Sequence, residues 1–472
     1  MKPSTLTALA LALAAAFPAS AQTSADILKE LQELKAKVAD LEKKLQAQEA
    51  RPAAQAPAAA PAAPQWGMTP DQARELSRVT VKAEALEDSR DAAGFKQLKI
   101  GGYMDPSWVY NRNQKRAGFQ FLNSVSSDGY NFDNSYFGGA QIDFQKETDS
   151  GVKWRLTLMP NRGTDSVIGN GGVVHEASVS IPLSDLQTRF IAGHVPDWSG
   201  YEYLPSTQNK LVTHNLLFDF TLPTTYTGAG MELTRGKWIV KGMLANMNAS
   251  KNAQGERAPV AVYRVDYSRG EFQGFGFAGV HGKASNLSQA MLDSVSGEVI
   301  SQPNSRVDLF EFDAYFIRGD WTVQGQASVG RQRKTSITPS SGSTVTEDPA
   351  SGNLRDAQWW GLSGLAAYKF TPRLEGIVRV DYVNNTKNGG GLLGYTVADD
   401  RNGIGPDPSG DPHVGAKRTA MSVGLSYLFD LSTTLKAEYR IDRASLPVFL
   451  DVSSGQYRKS NSILGASVVV AF

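Results

Sequence analysis

The sequence predicts an all-β fold: a transmembrane antiparallel β-barrel of about 16 strands (14 to 18), preceded by an α-helical coiled-coil segment. Three observations predict it: an export signal at the N-terminus, a long series of strands with alternating apolar and polar residues, and connections that alternate between short and long. The 472 residues include 48 Lys and Arg, 47 Asp and Glu, and no Cys. This charge balance argues against a nucleic-acid binder. The lack of Cys excludes disulfide frameworks and Cys-ligated metal sites.

Residues 1–21 have the pattern of a secretory signal peptide. Lys2 precedes an apolar run from Leu6 to Phe17, and Ala19-Ser20-Ala21 forms a small-residue cleavage site. The alternative is a buried N-terminal helix. Nothing after residue 21 approaches the roughly 18 uninterrupted apolar residues of a spanning helix. A membrane location therefore requires a closed barrel. We expect the outer membrane of a Gram-negative bacterium, with the N-terminal segment in the periplasm.

Residues 22–49 predict a coiled coil, because apolar residues recur at alternating spacings of four and three. In a parallel assembly Glu30 would face Lys35 of a second helix, and Lys37 would face Glu42, and both pairs attract. Leu at a positions with Ile at a d position favours three or more strands over two. The alternative is an amphipathic helix packed on its own domain. The predicted oligomerisation residues are Ile27, Leu31, Leu34, Val38, Leu41 and Leu45.

Two further segments separate the coiled coil from the barrel. Residues 50–68 form a Pro- and Ala-rich linker, in which frequent Pro prevents a helix and leaves an extended spacer. A second helix is predicted over 69–94. It begins with Thr69 as N-cap and Pro70 at the first helical position, and Gly94 can end it.

From residue 97 to 472 the period of the apolar pattern changes to two. The clearest example is Leu435 to Asp442, in which apolar and charged residues alternate strictly. Seven short turns alternate with eight long loops rich in Gly, Asn, Ser and Asp, the first of them near 111–131. An outer-membrane barrel has this asymmetry between periplasmic turns and extracellular loops, together with an even number of strands.

Large aromatic residues follow the short turns. The turns at 235–238, 269–272 and 318–321 each end in Trp or Phe, and the chain ends on an apolar strand that closes with Phe472. Aromatic rings at strand ends are typical of the two membrane–water interfaces. The alternative is a soluble sheet whose core is capped by aromatic residues, but that alternative does not predict their attachment to one class of turn.

This arrangement resembles a porin that carries an N-terminal coiled coil. The nearest groups are the phosphate-selective porin O/P-like proteins and a related uncharacterised porin-like family of Proteobacteria. The segment from Ala192 to Pro196 resembles the entry to the constriction loop of that family. The resemblance implies a homotrimeric, water-filled channel for small hydrophilic solutes or ions.

A barrel of about 16 strands leaves an aqueous lumen, so function should depend on inward-facing charges and on a loop that folds inward. The third long loop, 196–224, is the candidate constriction. The alternative is an ordinary surface loop. The constriction-loop candidates are Asp197, Trp198, Tyr201, Glu202, Lys210, His214 and Asp219.

Alternation also assigns charged side chains to the inner face, in nearly equal numbers of each sign. Strong ion selectivity needs rings of charged side chains of one sign, so this mixture predicts weak charge selectivity. It also departs from a phosphate pore, which needs a ladder of Arg and Lys. The pore-lining candidates are Lys153, Arg155, Arg189, Glu232, Lys241, Arg264, Asp266, Glu311, Asp313, Glu375, Arg379, Asp381, Lys436, Glu438, Arg440 and Asp442.

Catalysis has little support in the sequence. The five His lie outside any H-E-x-x-H motif, and His214 near Asp219 is the only local pair that a hydrolase could use. We expect no enzyme activity, no cofactor and no metal site. The expected partners are outer-membrane lipid, small solutes or ions and further copies of the chain. A second hypothesis is a structural tether, in which the barrel anchors a coiled coil that reaches peptidoglycan or a periplasmic protein.

Overall fold

The computed structural model describes residues 70–92, 95–122, 137–161, 172–248, 259–285, 291–292, 299–301, 304–336, 355–387 and 414–472. The predicted coiled coil (22–49), its seam from Ile27 to Leu45, and the linker (50–68) lie outside these residues. Helix α1 (Pro70–Ala92) occupies most of the segment predicted as the second helix, and its Leu76, Val79 and Leu86 are exposed. Among the described residues no helix combines the length and apolar content needed to cross a bilayer.

The rest of the described chain is almost entirely antiparallel β-structure. Its strands are β1 (Leu98–Met104), β2 (Ser107–Asn111), β3 (Arg116–Gln120), β4 (Ala140–Glu147), β5 (Lys153–Leu158), β6 (Val174–Asp185), β7 (Thr188–Pro196), β8 (Thr225–Arg235), β9 (Trp238–Met247), β10 (Val260–Ser268), β11 (Gln273–Ser285), β12 (Met291–Leu292), β13 (Val299–Ser301), β14 (Asn304–Arg318), β15 (Trp321–Ser336), β16 (Arg355–Lys369), β17 (Leu374–Asn384), β18 (Lys417–Leu428), β19 (Thr433–Ala444), β20 (Phe449–Asp451), β21 (Gln456–Arg458) and β22 (Ser460–Ala471).

These strands form a closed barrel of 16 antiparallel wall strands. The first wall strand consists of β1 and β2, which are separated at Asp105 and Pro106, where proline lacks a backbone donor. The second consists of β3, which pairs with β2, and β4, which pairs with β1. The last strand, β22, closes the barrel by pairing with both parts of the first, for example Ser107 opposite Ser467. The hairpins β12–β13 and β20–β21 lie within long connections.

The connections at the two ends of the barrel differ in length. At one end, seven turns of two to five residues join β4–β5, β6–β7, β8–β9, β10–β11, β14–β15, β16–β17 and β18–β19. At the other end, seven connections have 12 residues or more, the longest being 385–416. The prediction of a long loop near 111–131 is wrong in detail. Residues 112–115 form a tight turn, and the extra length at 121–139 lies between β3 and β4 instead, because both strands pair with the same first wall strand.

Short turns are stabilised locally by side chains that accept backbone hydrogen bonds. In the turn between β18 and β19, Asp430 Oδ1 accepts from the N–H groups of Ser432 at 2.8 Å and Thr433 at 2.7 Å. These hydrogen bonds favour the charged carboxylate and lower the pKa of Asp430. The arrangement is the Asx type of turn, in which a short acidic side chain replaces a backbone acceptor. Exposed aromatic residues flank the short turns, namely Trp238, Phe272, Trp321, Phe370 and Phe429.

The barrel wall exposes apolar side chains on its outer face and buries charged ones on its inner face, the reverse of a soluble protein. On β17 the outward Val378 and Val380 are 42% and 49% exposed, whereas the inward Arg379 and Asp381 are 0% and 1% exposed. Burial of charged groups and exposure of apolar ones is unfavourable in water. It is favourable when the outer surface meets hydrocarbon, as it does in membrane barrels.

Candidate functional site

One connection folds against the inner face of the barrel. Residues 197–224, here called the inner loop, join β7 to β8 and contain a 3₁₀ turn (Ser206–Gln208) and helix α2 (Leu216–Phe220). Its Glu202 contacts Arg379 on β17, and its Thr213 contacts Glu438 on β19. A single segment reaches these distant strands on their polar, inward side. The inner loop therefore lies within the barrel, where the sequence analysis placed a constriction.

The guanidinium of Arg379 is the centre of this attachment. Its Nη1 donates to Glu202 Oε1 at 2.8 Å and to the Thr213 carbonyl at 2.7 Å. Its Nη2 donates to Thr213 Oγ1 and to the His214 carbonyl, each at 2.9 Å. Arg379 is fully buried. Its planar fork of donors is well suited to hold several loop oxygens at once.

Two residues of β19 hold the same part of the inner loop. Glu438 Oε2 accepts from the backbone N–H groups of Val212 at 2.9 Å and Thr213 at 2.7 Å. Lys436 Nζ donates to the carbonyls of Ser206 at 2.5 Å and Asn209 at 2.6 Å. These wall charges therefore satisfy loop backbone groups that would otherwise be buried without partners.

Apolar loop residues fit over wall glycines. A Cβ at Gly424 on β18 would lie 2.3 Å from Cδ2 of Leu211, and a Cβ at Gly361 on β16 would lie 2.9 Å from Cδ1 of Leu217. Both leucines are buried. The absence of side chains at these two positions gives the inner loop the space to approach the wall.

Many of the predicted pore-lining charges lie beneath the inner loop. Asp442 binds Arg440 at 2.9 Å and Arg418 at 2.7 Å, and none of the three side chains is exposed. Arg418 was not among the predicted pore-lining residues, although its alternation with Ala420 and Ser422 on β18 places it on the inner face. Glu375 is held by Lys210 of the inner loop at 2.7 Å. The buried candidates on β17 and β19 are Arg379, Asp381, Lys436, Glu438, Arg440 and Asp442.

The remaining candidates are spread over the other side of the barrel. Arg189 is buried and donates to Ser180 Oγ at 2.6 Å, and it lies opposite Glu232 in the β7–β8 register. Lys153 is exposed beside Glu147 at the short-turn end. Four further pore-lining candidates form one group around Arg264. Its guanidinium binds Asp313 at 2.7 Å and Asp266 at 2.8 Å, and lies 3.9 Å from Glu311.

A cavity of about 570 Å³ lies between the inner loop and strands β4 to β10. Its wall side includes the predicted pore-lining residues Arg155, Lys241, Arg264 and Asp266, together with Glu176. Its loop side includes the constriction candidates Asp197, Trp198 and Glu202. The set of charges that can touch a solute in this space is therefore smaller than alternation indicates.

The other constriction candidates are engaged within the inner loop or with the wall. The Tyr201 hydroxyl lies 2.5 Å from Ser363 Oγ. His214 Nε2 lies 3.0 Å from the Tyr203 carbonyl, and its ring stacks on Phe218 with a centroid distance of 4.3 Å. Asp219 is buried in α2. Within the described part of the chain, no three His, Cys, Asp or Glu side chains are grouped to hold a metal ion.

Solved structures with a similar fold are outer-membrane proteins. OmpT, an outer membrane protein of Vibrio cholerae, aligns at 11% identity over 79% of this chain and 97% of its own, with a TM-score of 0.47. An anion-selective porin from Comamonas acidovorans aligns at 11% identity over 79% and 99%, with a TM-score of 0.47. Salmonella typhi OmpF aligns at 12% identity over 79% and 97%, with a TM-score of 0.46. A likeness this distant carries no argument about the function of this chain.

Comparison by sequence finds one family and no curated relative. No curated protein matches the chain significantly. The resemblance to phosphate-selective porins is not confirmed by these matches. A family model described as "Protein of unknown function (DUF3138)" matches residues 1–472, so the chain belongs to that family.

Proposed function

We propose that this protein is an outer-membrane porin, a passive diffusion channel for small hydrophilic solutes or ions with weak charge selectivity. The observation that carries the proposal is the inversion of the barrel wall. The apolar Val378 and Val380 face outward and are exposed, while the charged Arg379 between them is fully buried inside. An exposed apolar band needs lipid around it, and a polar lumen in a barrel of about 16 strands suits an aqueous path.

Weak selectivity is supported by the pairing of the inner charges. Arg379 is matched by Glu202 and Asp381, and Arg264 by Asp266 and Asp313, at distances of 2.7 to 3.2 Å. Paired charges present little net field to a passing ion, whereas selective pores carry rings of one sign. The proposal includes a homotrimer in the Gram-negative outer membrane, with the N-terminal segment on the periplasmic side.

Planar-bilayer recording of the purified, folded protein tests the channel. We expect stepwise increases in conductance, grouped in threes if the protein inserts as a trimer, and a small zero-current potential under a salt gradient. Heat-denatured protein is the control for leakage caused by detergent. Silence at all salts and voltages would contradict the proposal, and a large potential of either sign would contradict weak selectivity.

The structural tether is tested separately, because its coiled coil and linker are distinct from the barrel. Deletion of residues 22–65 should leave conductance unchanged if the protein acts as a channel, since the inner loop and every wall strand remain. A tether would lose its effect on envelope integrity, measured as sensitivity of the cells to detergent. Loss of conductance on deletion would contradict the view that the barrel alone forms the channel.

A further inference from the structure

We infer that Lys241 forms a binding subsite for the carboxylate of a small organic monoanion that carries an apolar body, and that this subsite lies in the cavity beside the inner loop. The inference rests on the proposed channel function and deepens it by naming a class of solute. Three features carry it: an ammonium group that forms no ion pair with any described residue, the ion pairs of the surrounding charges, and an apolar surface on the facing loop.

Lys241 lies on β9 and lines the cavity. Its Nζ sits 4.6 Å from the centroid of the Trp198 ring of the inner loop, within the range of a cation–π contact. Among the described residues its Nζ forms no ion pair and no hydrogen bond, although Glu232 stands opposite Lys241 in the β8–β9 register. Its three N–H donors are therefore available to an acceptor in the cavity.

The other two cations that line the cavity are already engaged. Arg264 donates to Asp266 at 2.8 Å, to Asp313 at 2.7 and 3.0 Å, and to the Trp198 carbonyl at 2.6 Å. Arg155 lies between two carboxylates, Asp143 at 2.8 Å and Glu176 at 3.3 Å. A solute that approached either arginine would have to displace an ion pair. Lys241 offers a positive charge without that cost.

The carboxylates on the loop side are held in place by donors of their own. Asp197 accepts from the Tyr226 hydroxyl at 2.5 Å and from the Ser199 N–H at 3.0 Å. Glu202 is bound by Arg379 at 2.8 Å. Together with Glu176 and Asp266 on the wall side, these two acidic groups border the cavity, and they would repel a solute of higher negative charge more strongly than a monoanion. A monoanion bound by one lysine is therefore favoured over a phosphate, which proteins usually bind with several cationic donors.

The apolar part of such a solute has a surface to contact. The facing side of the cavity contains Trp198, Leu204, Phe218 and Pro223 of the inner loop. The volume of about 570 Å³ falls within the range of small-molecule sites, which combine apolar walls with a few polar groups that fix orientation. The lysine supplies the orienting group and the loop supplies the apolar wall.

Current block in a planar bilayer tests the subsite with three probes of one shape: benzoate, benzyl alcohol and benzylammonium. We expect benzoate to reduce the chloride current of the unaltered protein at concentrations at which the neutral and cationic probes do not. Lys241→Gln should raise the half-blocking benzoate concentration about tenfold, the effect of losing one charge-assisted hydrogen bond. Lys369→Gln is the matched control, because it removes the same charge from an exposed position at the short-turn end of β16, and it should change the value less than about twofold.

The outcomes separate the two proposals. Equal block of the unaltered protein and Lys241→Gln by benzoate would overturn the subsite while the channel stands. Stronger block by benzylammonium than by benzoate would overturn it as well. A protein that conducts no current would overturn the channel, and the subsite with it.

Discussion

Arg379 of the barrel wall donates to Glu202 of the inner loop at 2.8 Å, across 177 residues of sequence, and both side chains are buried. A buried pair of this kind adds little stability over a well-packed apolar pair, but loss of one partner leaves a buried charge uncompensated. The pair therefore specifies where the loop lies more than it stabilises the barrel. The pair attaches the loop to β17, whereas the cavity lies between the loop and strands β4 to β10.

Arg379→Met should release the inner loop. The substitution leaves Glu202 buried without its cation and removes four hydrogen bonds to the loop, so we expect a loss of about 3–5 kcal/mol in the free energy of unfolding. Denaturant titration in detergent measures the stability. Single-channel recording should show a larger and noisier conductance.

Arg306→Met is the matched control for that substitution. Arg306 lies on β14 with its side chain 59% exposed and pairs with Asp308, so its loss should cost less than about 1 kcal/mol. The double variant Arg379→Met with Glu202→Gln should recover part of the lost stability, because the uncompensated charge is removed. Unaltered conductance in Arg379→Met would show that the loop keeps its place without this residue.

Gly424→Val should displace the inner loop without changing any charge. The new side chain would occupy the space of Leu211, whose Cδ2 lies 2.3 Å from the position of a Cβ at residue 424. We expect an altered single-channel conductance and faster proteolysis within residues 197–224. Gly364→Val is the control, since a Cβ there meets nothing within 4 Å. Identical behaviour of the two variants would contradict the observed packing of the loop on the wall.

Val380→Arg should test whether the outer surface meets lipid. Val380 lies near the middle of β17 and is 49% exposed, so a soluble barrel would accept arginine there. At the midplane of a bilayer, arginine on the lipid face costs about 2–4 kcal/mol. Folding into vesicles at increasing urea concentration measures the difference. Val452→Arg, at a loop position of 46% exposure, should cost close to nothing, and an equal effect at both sites would argue against a lipid-facing wall.

The wall of the barrel was predictable because its signals are local. The alternation from Leu435 to Asp442 places each side chain of β19 on the correct face, since a strand has a period of two. The short turns were located by Gly and Asp residues and by aromatic residues such as Trp238 and Trp321. These repeated local patterns predicted about 16 strands (14 to 18), and the structure has 16.

The candidate site was predictable only in outline. Residues 196–224 were a candidate constriction by their length and composition, but alternation treats Lys241 and Arg379 alike, as inward-facing cations. In the structure Arg379 is fully buried beneath the loop, whereas Lys241 lines the cavity. Arg418 was not among the candidates although alternation on β18 places it on the inner face, and its ion pair with Asp442, 24 residues away on the next strand, is evident only in the structure.

The sequence by itself determined the class of fold and the alternation of inward and outward side chains along clear strands such as β19, because both depend on neighbours a few residues apart. Only the tertiary structure decided which inner charges neutralise one another and which of them line the cavity. That outcome depends on contacts such as Glu202 with Arg379, which exist only after the barrel closes and brings residues 177 positions apart within hydrogen-bonding distance.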